Sequence, residues 1–175
     1  MVSGLDILET MIGKFKGKND TTQSEEIIMD KYNISQGALD NFSEIVSGIE
    51  SDYGQNLINP NSTAKGIYQF TDAGFETAVQ RTINLYESAG KDIPTWLTDA
   101  KKKDVSVMDL TSDQQKDLFF ANLAQHPAKT MDLLKRFDQG DNSAGFDLFA
   151  KYHHTKGYES PTKEHAASFF GIEVD

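Results

Sequence analysis

Cysteine is absent from the 175 residues. That excludes a disulfide framework, a thiolate metal site and a cysteine nucleophile at once, and it leaves the redox compartment open. Long apolar runs are missing too. No stretch of 18 residues is apolar throughout, so no segment has the makings of a membrane span and membrane insertion is not expected. Positive charge is scarce, with 17 Lys and Arg against 27 Asp and Glu for a formal charge of −10. Sequence-independent nucleic-acid binding draws on clustered Lys and Arg that displace counterions from phosphates, so this balance argues against nucleic acid as a partner. At Met1 to Lys18 the lysines follow the apolar residues. This is the reverse of a secretory signal, and the expectation is a chain without one.

What is present reads as one domain, mostly α-helical, with little or no β structure. A chain of this length buries roughly 70% of the surface its unfolded form exposes, enough for a core without staples. Leu5, Leu8, Met11/Ile12 and Phe15 recur at helical spacing, and Gly17 to Ser24 is polar and turn-rich. Residues 1–24 are therefore expected to be an N-terminal amphipathic helix with a linker, and residues 25–175 the main domain. A helix is predicted over Glu25 to Tyr32. A stronger one follows Ser35, with Leu39, Phe42, Ile45/Val46 and Ile49 on one face and Glu50 directly after that stripe.

Residues 51–70 lose periodicity and fill with Gly, Asn and Pro, so they read as a long irregular loop. Thr71 is an expected N-cap for a helix that Gly90 stops. A variable stretch carries Pro94, Trp96 and Lys101–Lys103, the last read as a solvated face and Trp96 as core. Thr111 with Gln114 fits a capping box, and His126-Pro127 is expected to end that helix. Helices are predicted over Ala128–Phe137 and Ser143–His153, then a last one from Pro161 through Phe170.

The chemistry is concentrated in Glu50-Ser51-Asp52-Tyr53-Gly54, Asn59-Pro60-Asn61-Ser62 and Ala64-Lys65-Gly66-Ile67-Tyr68-Gln69-Phe70. A carboxyl group at the end of an apolar helix, opening into a Gly/Asn/Pro loop, can be partly withdrawn from water. Desolvation favours the protonated form of a carboxyl group, which is what a general acid requires. Taken alone, a Glu at a helix end is more often a solvated surface residue.

The three elements together resemble the soluble lytic transglycosylase family, related to goose-type lysozyme, whose pattern runs approximately E-S…N-P…S…A-x-G-L-M-Q. Glu50 and Gln69 lie nineteen positions apart, close to the family's spacing. The family's later Tyr-Asn-x-Gly segment has its counterpart in Ala150-Lys151-Tyr152-His153-His154-Thr155-Lys156-Gly157, where His153 replaces the Asn. Met108 to Asn122 resembles a helix of phage-encoded members.

The resemblance implies a lysozyme-like helical domain with a cleft for alternating N-acetylmuramic acid and N-acetylglucosamine. Glu50 would protonate the glycosidic oxygen and then, as base, take the proton of the muramyl 6-hydroxyl to close a 1,6-anhydro ring. By position, Gln69 would hydrogen-bond the sugar near the scissile bond, and Ser62 would contact a peptide or acetamido group. Tyr152 would aim its hydroxyl towards Glu50. Tyr68 stands where the family has Met, and its ring either stacks on a pyranose or packs in the core. The familiar two-carboxylate scheme would need a second acid, for which Asp52 and Glu76 are the nearest candidates.

No metal or other cofactor is expected. His153 and His154 are neighbours that point apart, and zinc needs three or four convergent ligands. The reading that follows is a peptidoglycan-cleaving enzyme of phage origin, either carried on a virion among other virion proteins or released as an endolysin. In either case it would be made in the host cytoplasm and act on the cell wall. A lysozyme that admits water on the same fold, and a non-catalytic wall-binding virion module, are the alternatives. The acidic excess is densest at residues 41–80, which carry −4, whereas residues 81–140 are neutral. The inferred substrate, itself bearing carboxylates, would thus not be captured by long-range attraction.

Overall fold

A computed structural model describes residues 20–153 and 162–173. The segment expected to form the first amphipathic helix, and Pro161, lie outside the described residues. Eight α-helices are described: α1 (Gln23–Tyr32), α2 (Gln36–Ser51), α3 (Asp72–Ser88), α4 (Thr95–Lys101), α5 (Ser112–Leu123), α6 (Pro127–Asp138), α7 (Asn142–Leu148) and α8 (Thr162–Phe169). A 3₁₀ turn (Val107–Asp109) precedes α5, and a π-helical turn (Phe149–His153) continues α7. Among the described residues there is no strand, only two isolated antiparallel bridges, Ile58 to Lys65 and Lys65 to Phe70.

Helix starts follow local chemistry. Thr22 caps α1 in a reciprocal box with Glu25, and Thr111 does the same for α5 with Gln114. Because Thr22 is this cap and Ser24 is fully buried, the expected domain boundary after residue 24 falls inside α1. Ser35 caps α2 and also donates its hydroxyl to Asp138 at 2.6 Å, tying the start of α2 to the end of α6. Thr71 caps α3. Pro127 opens α6 at its first position, where a missing N–H costs nothing, and the helix before it has already ended at Leu123, ahead of His126-Pro127. The stretch read as variable holds α4, with Leu97 and Ala100 buried and Trp96 half-buried against the core.

The core forms around α5. Leu118, Phe119, Phe120 and Leu123 are all buried, so this helix is enclosed on nearly every side. It packs on α1 and α3, while α6 pairs with α7 and α2 with α8. Phe42 of α2 is the hub, its ring 6.0 Å from Phe119, 5.7 Å from Phe137 and 6.1 Å from Phe170. Each such ring contributes about 1.5–3 kcal/mol by leaving water. A Cβ on Gly48 would lie 2.8 Å from the rings of Tyr53 and Phe169. The small residue is what lets α8 and the chain after α2 close onto the same face.

Candidate active site

Glu50 occupies the last turn of α2, with 10% of its side chain exposed. The helix ends there because Asp52 adopts the left-handed conformation and returns its N–H to the carbonyls of Ser47 and Gly48. Ser51 makes that turn reproducible. It is 1% exposed, donates its hydroxyl to the Ser47 carbonyl at 3.1 Å and accepts the Gly54 N–H at 2.9 Å. The Glu-Ser pair therefore divides its labour: the serine fixes the helix exit and the glutamate is held at it.

Facing Glu50 is His153, whose Nε2 lies 3.6 Å from Glu50 Oε1, with 7% of the imidazole side chain exposed. That separation is a close contact, longer than a hydrogen bond. The ring is held by aromatic packing, edge-on to Phe119 at 5.1 Å and tilted against Phe149 at 5.9 Å. Glu50 and His153 are 103 positions apart in sequence, and the π-helical turn is what delivers the imidazole. Such turns, with i→i+5 bonding, re-phase the side chains that follow them and recur at functional sites.

The same turn sends Tyr152 elsewhere. Its ring sits 6.5 Å from His126 and lines a surface cavity with Arg81, Asn122 and Lys151, which Glu50 does not line. The place that the resemblance assigns to the Tyr152 hydroxyl is taken by the His153 imidazole, because adjacent residues on a helical turn project in different directions.

Gln69 lies at the far side of the 51–70 loop in the left-handed conformation, φ +49°. Its amide nitrogen donates to the carbonyls of Gly66 at 2.9 Å and Asn56 at 3.2 Å. Asn56 in turn donates its N–H to the Ser51 carbonyl at 2.9 Å, so two hydrogen bonds link Gln69 to the residue after Glu50. Gln69 Oε1 has no hydrogen-bond partner among the described residues. It is the atom through which this side chain can receive a sugar hydroxyl.

Ser62 is exposed on the loop, and its hydroxyl accepts the Ala64 N–H at 3.1 Å, a local turn contact. Tyr68 is in the core. It is 4% exposed, with its ring stacked on Phe119 at 4.4 Å and 8°, and burial pushes its hydroxyl pKa well above the usual value. With both faces enclosed it offers no platform to a pyranose, so packing is the role its surroundings support. Glu76 is paired with Lys103 at 2.7 Å on the surface, and Asp52 is exposed at its cap.

The residue that sequence reasoning left without a role is Gln115. Only 5% exposed, it accepts the Ile67 N–H at 2.8 Å and donates to the Leu110 carbonyl at 3.2 Å. It thus clamps the Gly66-Ile67-Tyr68-Gln69 run onto α5. Gly66 is required beneath it: its φ is +81°, and a Cβ there would lie 2.5 Å from Gln115 Oε1. A polar residue on the buried face of a capping-box helix was the available signal.

A second polar network sits below. Lys116, 3% exposed, bridges fully buried Glu25 at 2.8 Å and Asp40 at 3.0 Å. Burial opposes its charge, but the hydrogen bonds and fields of Glu25 and Asp40 outweigh that and hold its pKa above the ordinary value. Tyr86 donates its hydroxyl to Asp117, which also accepts the Ser24 N–H at 2.8 Å. Burial raises the Asp117 pKa despite these donors. Among the described residues no group of three or more His, Asp or Glu is placed to hold a metal ion, and no helix is long and apolar enough to cross a membrane. Comparison of the chain with protein-family models, with curated proteins and with solved structures finds no match.

Proposed function

We propose that this chain is a peptidoglycan lytic transglycosylase, cleaving the β-1,4 bond between N-acetylmuramic acid and N-acetylglucosamine with Glu50 as general acid and then base. The observation that carries the reading is the placement of Glu50: a carboxyl group at a helix exit, nine-tenths withdrawn from water, with an imidazole at 3.6 Å and the Gln69 loop hydrogen-bonded to its helix end.

In the first step the Glu50 proton passes to the glycosidic oxygen as the muramyl C1–O bond breaks, and the 2-acetamido oxygen supports the electron-poor C1. In the second, the Glu50 carboxylate takes the proton of the muramyl 6-hydroxyl as O6 closes on C1. The products are a 1,6-anhydromuramyl end and a free 4-hydroxyl, with no water consumed and Glu50 reprotonated. One carboxyl group suffices, in keeping with Glu76 engaged by Lys103 on the surface. His153 is the positioning residue: its ring, held by Phe119 and Phe149, lies 3.6 Å from the carboxyl group and limits where that group can point. The biological setting consistent with this chemistry is cell-wall penetration by a phage virion or release of phage by lysis.

The test is Glu50→Gln on purified cell walls, followed by turbidity and by mass spectrometry of the glycan ends. Loss of the general acid is expected to lower the rate by about 10²–10⁴-fold at unchanged thermal stability. Clearing at the original rate would refute the assignment. Reducing muramyl ends in the wild-type digest would replace transglycosylation by hydrolysis at the same residue.

A further inference from the structure

The protein carries −10 overall, yet its two described surface cavities lie where cations gather. One, of about 300 Å³, is lined by Arg81 of α3, Asn122 and Leu123 of α5, His126, Lys151 and Tyr152. The other, of about 400 Å³, shares His126 and Tyr152 with it and extends to Lys129 of α6. The two form one continuous depression beside the π-helical turn. Arg81 is half-buried, and no carboxylate among the described residues pairs with it. One arm of its guanidinium donates to Asn122 Oδ1 at 2.7 Å, which holds the plane while the other donors stay available. Lys129 is exposed without a carboxylate partner among the described residues. Lys151 shares an exposed pair with Asp147 at 2.9 Å, of a kind that contributes little and yields readily to a better anion. Tyr152 and Leu123 supply an apolar wall.

A fixed guanidinium fork, two further ammonium groups and an apolar wall match a carboxylate on an organic frame better than a bare inorganic anion. We infer that this depression is a subsite for the carboxylates of the stem peptide carried by the muramyl lactyl group, with Arg81 as its principal contact. The inference rests on the glycan-cleaving reading of Glu50. It gains from the fact that Tyr152, which lines the depression, and His153, which faces Glu50, are consecutive residues, their Cα atoms about 3.8 Å apart. The depression therefore begins one residue along the chain from the imidazole that faces Glu50. The subsite also answers how an acidic enzyme retains an anionic polymer: by local pairing instead of a long-range field.

The experiment compares kcat/KM on peptide-bearing glycan strands with kcat/KM on strands stripped of peptide by an amidase, for wild type, Arg81→Gln and Arg81→Lys. The wild-type ratio is expected to favour peptide-bearing strands. Arg81→Gln should collapse that ratio on the order of tenfold, through KM, and Arg81→Lys should recover part of it. A ratio unchanged by Arg81→Gln, or equal losses on both polymers, would overturn the inference while leaving the role of Glu50 standing. If wild type cuts neither polymer, the glycan reading itself falls. The subsite is then judged by NMR titration of the full chain with the free stem tetrapeptide: shifts at Arg81 and Tyr152 that Arg81→Gln abolishes uphold it, and their absence ends it.

Discussion

Gln115→Leu probes whether the candidate site is held in place by the clamp on α5. The substitution keeps the side-chain volume close to that of glutamine and removes both hydrogen bonds. The Ile67 N–H and the Leu110 carbonyl, each on a residue less than a tenth exposed, are left without their partners. An orphaned buried polar group costs about 1–3 kcal/mol, so the gross loss is about 2–6 kcal/mol. The added apolar burial of leucine returns about 1–2 kcal/mol of this. A net destabilisation of about 1–4 kcal/mol remains, a substantial part of the roughly 5–15 kcal/mol that folds a domain, but short of unfolding it at room temperature. The urea midpoint should fall accordingly, and Tm should drop by about 2–4 °C per kcal/mol. Amide exchange adds the local readout: Ile67 should lose its protection ahead of α5. Because Gln69 is anchored to the carbonyl of Gly66, the residue before Ile67, wall-clearing should fall on the order of ten- to a hundredfold as the loop loses its register. A variant within about 0.5 kcal/mol of wild type, with Ile67 still protected, would refute the clamp.

Lys116→Met should destabilise by about 3–5 kcal/mol, since it leaves fully buried Glu25 charged and unpaired. Glu25→Gln in that background should restore most of the loss, because glutamine keeps the oxygen that accepts the Thr22 N–H at 2.7 Å. A double-mutant cycle in urea checks this, and additive losses would show that the pair is not coupled. Asp117→Asn tests the raised carboxyl. Burial lifts the folded pKa above the ordinary 3.8, so between the two values the native state binds more protons than the unfolded one. The contribution of Asp117 is therefore greatest below the unfolded value and declines as pH rises through the folded one. The urea midpoint of the Asn variant should thus gain on wild type as pH rises above the ordinary 3.8, whereas a difference that is constant or runs the other way would overturn the shift. The raised Lys116 acts outside this window, losing its contribution only as pH rises beyond the ordinary 10.5.

The parts of the fold that are legible in sequence are those written within one turn of chain. Ser35, Thr71 and Thr111 announce helix starts because a cap and the N–H it accepts are three residues apart, and the stripe from Leu39 to Ile49 announces the buried face that ends at Glu50. The buried polar groups of α5 are not legible in this way. Lys116 and Asp117 give no local sign of burial, since charged side chains are rarely enclosed unless paired, and Gln115 shows only its spacing of three and four from Leu118 and Phe119. Their partners Ile67, Glu25, Asp40 and Tyr86 are far away in sequence. The same limit governs the site. Glu50 and His153 are each visible as candidates, but which of Tyr152 and His153 faces the carboxyl group depends on the phase of the chain through residues 149–153. A helix that kept i→i+4 bonding would carry a different phase to these positions. One extra residue in a single turn thus assigns the imidazole to Glu50 and the phenol to the cationic depression, and no periodicity upstream of it records that choice. The assignment of roles at this site is accordingly a property of the π-helical turn, which presents His153 to Glu50 on one side and Tyr152 to the depression lined by Arg81 on the other.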